Sequence, residues 1–287
     1  MEKRKAEIVS SIVLGIIALV WGTTFAVIKD TLNSVPPFSL LMMRFVFASL
    51  LLSIIYLKKM SKIRLVDLKR GSIIGIFMAL AFYFLVISIR FTTASKFSFI
   101  IGAYVLMVPF LSFIFNGKSL DRYATIGAII ATIGLGFLTI EKGVAFNVWD
   151  LVAGCCSLFF AFHMVAIEKY ANDSDPIILT IVQFIVTAII FSLLTGVKEG
   201  YDFSLLPKIK WTLCYLVVVS TVIPFATQNL VQKYISSTTT AVILTLQSAF
   251  GSIFAVYYLD EKMSSQMILG CILIFIGILL QELKRKV

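Results

Sequence analysis

The chain has 287 residues, of which 60% are hydrophobic and only 14% are charged. Soluble domains are about 45 to 50% apolar, so this composition excludes an ordinary soluble domain, a disordered tail and a small disulfide scaffold. The formal charge of +10 would suit a nucleic-acid-binding protein, but most of the basic residues lie in short connections between apolar runs. We therefore expect an integral membrane protein in the lipid bilayer, without a nucleic-acid partner.

Apolar stretches long enough to cross a bilayer follow one another along the whole chain, separated by short polar connections. Such segments are helices, because backbone amides in hydrocarbon must be paired within the segment, and they lack the alternation of barrel strands. The sequence therefore predicts an all-α fold with ten transmembrane helices, at residues 8–29, 38–57, 71–90, 94–115, 123–140, 149–168, 176–196, 211–231, 237–259 and 264–281.

Lysine and arginine are unevenly distributed between the two sides of this topology. With the N-terminus inside, the cytoplasmic connections hold about twice as many of them as the outer connections, as the positive-inside rule requires. We therefore predict a multi-pass protein of the plasma or inner membrane with both termini in the cytoplasm.

A weak internal repeat divides the predicted helices into two sets of five. When the second half is laid on the first, Arg90-Phe91 meets Lys233-Tyr234, Gly127 meets Gly270 and Gly134 meets Gly277. An odd number of spans in each unit forces opposite orientations, which gives the inverted repeat of many secondary transporters. We predict a first five-helix unit at residues 1–140, a connection at 141–147 and a second unit at 148–287.

Polar and ionisable side chains inside the predicted spans are the candidate functional groups, because each is costly in a bilayer. His163 either lines a substrate path or makes a hydrogen bond that fixes helix packing. Arg44 lies near the Pro36-Pro37 break and is assigned a structural or gating role, and Pro109 and Pro224 are either hinges or tolerated kinks. Other mid-span residues are candidates for a central substrate cavity: Trp21, Thr24, Tyr83, Tyr104, Gln228, Gln247 and Ser248.

Several kinds of site are missing from the sequence. No aspartate or glutamate lies in the middle of a predicted span, which argues against a carboxylate-based proton or cation exchanger. No P-loop, HExxH or GxSxG motif is present, and the four cysteines lie in apolar runs without metal-ligand spacing. We therefore expect no catalytic residues, no cofactor and no metal site. A membrane-embedded enzyme or a scramblase acting on lipids remains the alternative to a transporter.

Six segments, spread over essentially the whole chain, are similar to those of a known family. They are Trp21-Gly22-Thr23-Thr24-Phe25, Arg44-Phe45, the stretch from Arg90 through Tyr104 to Pro109, Phe160-Ala161-Phe162-His163, Val182-Gln183 and Gln232-Lys233-Tyr234. They resemble the EamA-type transporters of the drug/metabolite transporter superfamily. The resemblance implies ten helices in two inverted repeats around a central cavity, and transport of amino acids, other metabolites or toxic organic compounds, often outward.

One position departs from the pattern of this family. Near the start of the ninth helix the family commonly has a Glu-Pro pair, where this chain has Gln247-Ser248. Without that acid, proton antiport is disfavoured, and a neutral or zwitterionic substrate held by amides and aromatic rings is favoured. The sequence therefore predicts an exporter or facilitator of a small organic metabolite, such as an amino acid or a similar compound, that works by alternating access. It is compatible with a monomer.

Overall fold

The computed structural model describes residues 2–92, 94–117, 122–139, 148–258 and 265–283. Within these ranges the chain is helical and contains no strand, which confirms the predicted all-α fold for this part of the chain. The helices are α1 (Glu2–Thr31), α2 (Pro37–Ile55), α3 (Leu57–Met60), α4 (Leu65–Ser88), α5 (Ala94–Gly102), α6 (Tyr104–Asn116), α7 (Arg122–Thr139), α8 (Val148–Tyr170), α9 (Pro176–Lys198), α10 (Leu205–Cys214), α11 (Ile223–Val231), α12 (Ser237–Leu244), α13 (Leu246–Tyr258) and α14 (Ser265–Leu283). A 3₁₀ turn at Ile89–Phe91 follows α4, and a π-helical stretch at Tyr215–Val222 joins α10 to α11.

Six helical segments of the described chain are long and apolar enough to span a bilayer. They are Lys5–Thr31, Pro37–Ile55, Leu65–Phe91, Val148–Tyr170, Pro176–Lys198 and Leu205–Val231. The other four predicted spans correspond to shorter or interrupted apolar helices, namely α5 with α6, α7, α12 with α13, and α14. Large apolar side chains such as Ile54, Leu193 and Trp211 are exposed on the outer surface, as expected where hydrocarbon replaces water.

Helices α2 and α9 pack against each other and are linked at both ends. At one end the carboxylate of Glu199, just beyond α9, accepts hydrogen bonds from the backbone N–H groups of Phe38 (3.0 Å) and Ser39 (2.7 Å). These are N–H groups of the first turn of α2, which have no intrahelical acceptor. At the other end Asp175, the N-cap residue of α9, pairs with Lys59, just beyond α2, at 2.6 Å. The ends of each helix are therefore fixed by the other.

Helices α7 and α14 approach each other closely because glycines line their contact. A methyl group at Gly134 would lie 2.7 Å from the carbonyl oxygen of Gly270, and one at Gly277 would lie 2.6 Å from that of Gly127. Both distances are shorter than van der Waals contact, so a larger side chain would force the helices apart. The contacts are reciprocal between the same four glycines that the repeat aligns in sequence.

A similar contact joins α1 to α13. A methyl group at Gly22 would lie 2.9 Å from both the carbonyl oxygen of Gln247 and the backbone nitrogen of Gly251. The absence of a side chain at this position lets the backbone of α13 approach α1. Trp21 and Gln247, which neighbour this contact, consequently border the same internal space.

Two of the predicted spans are interrupted near their middles. The 94–115 span is divided between α5 and α6 at Ala103, and the 237–259 span is divided between α12 and α13 at Thr245. Pro109 lies beyond the first interruption, inside α6. The break in this span is therefore at Ala103, and the helix continues through Pro109, which the sequence offered as either a hinge or a tolerated kink.

Candidate functional site

A cavity lies within the helix bundle. Most of the lining is apolar or aromatic, and it includes Phe82 and Phe225, whose ring centroids are 6.1 Å apart. The lining residues belong to α1, α2, α4, α5 and α6 of the first half and to α8, α11 and α13 of the second. The cavity is therefore enclosed by both halves of the chain.

Two sequence-predicted residues meet in this cavity directly after the helix interruptions. Tyr104 is the first residue of α6, and Gln247 is the second residue of α13. Gln247 donates a hydrogen bond from Nε2 to the hydroxyl oxygen of Tyr104 at 3.1 Å. Each interrupted helix thus places a polar group on the cavity wall, and the hydrogen bond joins the two halves there.

The stretch before Pro224 holds two side chains of the cavity wall. The carbonyl group of Ser220 belongs to the π-helical stretch that precedes this proline. The indole Nε1 of Trp21 donates to this carbonyl oxygen at 3.0 Å, and Thr24 Oγ1 donates to Ser220 Oγ at 3.0 Å. Trp21 and Thr24, which both line the cavity, are therefore held by α1 on one side and by the stretch before Pro224 on the other.

Arg44 also lines the cavity, where it is the charged residue among the described lining. Its side chain is 1% exposed. Nε donates to Thr221 Oγ1 at 2.6 Å and Nη2 donates to Ser220 Oγ at 3.0 Å, and the guanidinium carbon lies 4.9 Å from the ring centroid of Phe82. Nη1 makes no hydrogen bond. The residue to which the sequence assigned a structural or gating role thus forms part of the cavity wall.

His163 is buried behind the cavity wall and is absent from the lining. Its Nε2 lies 3.0 Å from Oε1 of Gln183, on the neighbouring helix α9. Its ring packs edge-on against Phe225, with 5.8 Å between the centroids, and Phe225 does line the cavity. The histidine therefore contacts the site through Phe225.

Three other candidate residues also lie away from the cavity lining. Tyr83 stacks on Phe38 with 5.6 Å between ring centroids. The side chains of the other two are used in hydrogen bonds within the bundle: Gln228 Nε2 to Gln232 Oε1 at 3.1 Å, and Ser248 Oγ to the carbonyl oxygen of Ser98 at 2.9 Å. Ser248 therefore fixes α13 against the middle of α5.

A buried polar cluster at one end of the bundle was not expected from the sequence. Glu168 is 4% exposed, and its Oε2 accepts hydrogen bonds from Ser112 Oγ (2.9 Å), Asn116 Nδ2 (3.0 Å) and Ser237 Oγ (2.7 Å). These four residues, called the Glu168 cluster below, join α6, α8 and α12. Glu168 ends a predicted span, where a carboxylate normally reaches water, so the sequence did not indicate that this side chain is buried. The signal available in the sequence was the presence of two serines, Ser112 and Ser237, inside predicted spans.

Comparisons with known proteins agree with this architecture. The EamA-like transporter family matches residues 9–140 and again residues 147–281. An uncharacterized transporter of Archaeoglobus fulgidus is 31% identical over 277 residues, covering 94% of this chain and 85% of its own. The uncharacterized transporter YoaV of Bacillus subtilis is 23% identical, covering 96% of this chain and 99% of its own.

A crystal structure with 18% sequence identity shares the fold, with a TM-score of 0.78 over 96% of this chain and 98% of that one. The names of the relatives point to a transporter rather than an enzyme. The two family matches confirm the resemblance seen in the sequence and extend over nearly all of the chain. The chain is a multi-pass membrane protein that belongs to the EamA-like transporter family.

Proposed function

We propose that this protein is a secondary transporter, an exporter or facilitator, of a small organic metabolite such as an amino acid or a similar zwitterionic or neutral compound. The observation that carries the proposal is the cavity, which is lined mainly by apolar and aromatic side chains with a few polar groups and is enclosed by both halves of the chain. Trp21, Thr24, Tyr104 and Gln247 would contact the substrate directly. His163 would support the wall behind Phe225.

Contacts between equivalent positions support two units related by a two-fold axis. Tyr104 and Gln247, which share a hydrogen bond, are separated by 143 residues. Phe82 and Phe225 have the same separation and their rings are in contact. Residues that a two-fold axis relates touch each other only near that axis, and both pairs lie on the cavity wall. The proposed axis therefore passes through the cavity.

Ten helices divided into five-helix units at 1–140 and 148–287 would place this axis in the membrane plane, because an odd number of spans inverts the second unit. The proposed connection, 141–147, lies outside the described residues. Interrupted helices that meet at a central site are typical of such transporters. We propose that alternating access consists of the two units exchanging their arrangements around the cavity.

We also propose that both termini face the cytoplasm of the plasma or inner membrane. Two exposed connections test this orientation, one containing Lys62, before α4, and one containing Asp202, before α10. In a protein without the native cysteines, Lys62→Cys should react with a membrane-impermeant maleimide only from the cytoplasm, and Asp202→Cys only from outside. Labelling of both positions from the same side would contradict the proposed topology.

Transport itself is tested with purified protein. A thermal-shift screen against amino acids, nucleosides, polyamines and vitamins would identify ligands, because a ligand that binds the folded state raises its stability. Hits would then be measured as saturable uptake into proteoliposomes. Met164→Trp should fill the cavity and abolish this uptake, because Met164 lines it.

The matched control is Leu193→Trp, which adds the same side chain at a position that is 64% exposed on the outer surface. It should transport at the rate of the unmodified protein. Equal uptake by the two variants would contradict the assignment of this cavity as the transport site.

A further inference from the structure

The charge of Arg44 is not balanced within the described part of the protein. The described ion pairs involve Lys59, Arg64 and Arg70, and none includes Arg44. Arg44 is nevertheless 1% exposed and lies about 10 Å beyond the first residue of α2, measured along the helix. Burying a charge without a counter-ion is costly, especially inside a bilayer. A bound anion would lower the free-energy cost of burying this charge.

The hydrogen bonds of Arg44 leave one nitrogen, Nη1, with its N–H groups free for such a ligand. Nε and Nη2 are used by Thr221 and Ser220, which hold the guanidinium in place with neutral oxygens. Nη1 is buried and has no acceptor, whereas buried donors in folded proteins are almost always paired. Arg64, in comparison, directs both Nε and Nη2 at the carboxylate of Asp67, each at 2.9 Å. Nη1 therefore lacks an acceptor, and a carboxylate would supply one together with the missing negative charge.

The other lining residues indicate the chemistry of the remainder of the ligand. The walls are formed mainly by rings and aliphatic side chains, among them Trp21, Phe82 and Phe160, which suit an apolar body. No aspartate or glutamate is among the described lining residues, so no acid is provided for an ammonium group. A single cation matches a monoanion, because a second negative charge would be buried unpaired.

We propose that Nη1 of Arg44 binds the carboxylate of the transported molecule, and that the substrates are organic monocarboxylates with an apolar body, for which an amino group is not required. This inference rests on the proposed function, since it concerns the same cavity, and it changes the expected substrate from a zwitterionic or neutral compound to a carboxylate that need not carry an amino group. Thr221 and Ser220 are positioning residues that hold the guanidinium, and the rings of the cavity contact the remainder of the substrate.

Four compounds of similar size test the contributions of the carboxylate and the ammonium group to binding separately. They are 3-phenylpropionate, which has only the carboxylate, phenylalanine, which has both charges, phenethylamine, which has only the ammonium, and 3-phenylpropionamide, which has neither. Hexanoate supplies a second acid with an unrelated apolar body. Binding is measured by the fluorescence of Trp21 in a Trp149→Phe/Trp211→Phe protein, because the chain has three tryptophans and Trp21 lines the cavity.

We expect at least one of the two acids without an amino group to bind about 10- to 100-fold more tightly than the amide or the amine, which is the range of a charge-assisted hydrogen bond. Phenylalanine should bind within a few-fold of 3-phenylpropionate. Arg44→Gln should remove the preference for acid over amide, and Arg44→Lys should retain part of it. Gln247→Leu changes a neutral lining group and should alter the affinity for acid and amide alike, leaving their ratio unchanged.

The ligand series in the unmodified protein keeps the test valid even if Arg44→Gln is unstable. Equal binding of acid and amide, tighter binding of the amine, or no binding of either acid at millimolar concentration would overturn the inference. So would an Arg44→Gln protein that folds and keeps the preference for acids. Uptake of the same compounds into proteoliposomes separates the two proposals. Acids that bind at Trp21 with the expected preference but are never transported would leave the role of Arg44 intact and overturn the proposed transport function.

Discussion

Replacing Glu168 by alanine should destabilise the folded protein by about 3 kcal/mol or more. The substitution leaves the Ser112 and Ser237 hydroxyls and the Asn116 amide without their carboxylate acceptor, and each hydrogen bond to a charged group is worth about 1.5 to 3 kcal/mol. The site is buried, so water cannot easily replace the carboxylate. The measurement is thermal or denaturant unfolding of the purified protein, followed by tryptophan fluorescence in one detergent.

Two variants control for the loss of an acid. Glu168→Gln keeps an oxygen acceptor and should have an intermediate effect. Asp173→Ala removes an acid that is 63% exposed and pairs with Arg70 at 3.3 Å, and a surface ion pair of this kind contributes little. If Glu168→Ala were as stable as Asp173→Ala, the Glu168 cluster would have no structural role.

Glu168→Gln should also change which side of the membrane the cavity opens to, if the protein works by alternating access. The Glu168 cluster joins α6, α8 and α12 at one end of the bundle, so the helices must separate there when the cavity opens to that side. Weakening the cluster with Glu168→Gln should therefore favour the form that is open at this end. A cysteine introduced at Met164, on the cavity wall, should then react faster from that side, and an unchanged rate would argue against a gating role.

Alanine at both Gly134 and Gly277 should separate α7 from α14 and markedly lower the unfolding temperature. Each new methyl group would lie 2.7 Å or 2.6 Å from a backbone carbonyl oxygen, which cannot move without moving its helix. Overpacking of this kind costs about 1 to 3 kcal/mol at each site. The single variants should show smaller decreases than the double variant in the same unfolding assay.

The matched controls are Gly15→Ala and Gly154→Ala. Both glycines lie in helices, and a methyl group at either would have no atom within 4 Å. These variants should be unchanged or more stable by up to about 1 kcal/mol, because alanine is the better helix former. Equal destabilisation by control and contact variants would show that the α7–α14 contact tolerates a methyl group.

The helices and the family could be predicted from the sequence because both depend on local signals. Apolar length and polar connections place the helices, and short motifs in six segments spread over the chain carry the family resemblance. The interruptions at Ala103 and Thr245 could not be placed in this way. Neither residue is a proline or glycine. Pro109, the residue in the first of these spans that most disfavours a helix, lies within a continuous helix.

The sequence indicated how deep in the membrane the site residues lie, but not which of them face the cavity. Trp21, Thr24, Tyr104 and Gln247 lie at mid-span and face the cavity, whereas His163 lies at mid-span and faces Gln183. Which face of a helix turns inward depends on its partners, and these lie far away in sequence. The polar partners of Arg44, for example, are in the π-helical stretch of the second half, so its place in the cavity wall could not be inferred from α2 alone.

The reciprocal glycine contact also constrains when the protein can complete its fold during synthesis. Helix α7 ends at Thr139, but its partner α14 begins only at Ser265. At about 5 to 20 residues per second, a ribosome needs roughly 6 to 25 seconds to make the chain between them. During that interval the glycine face of α7 has no final partner and is available to lipid or to another membrane helix. The bundle therefore stays incomplete until its last helix has been made.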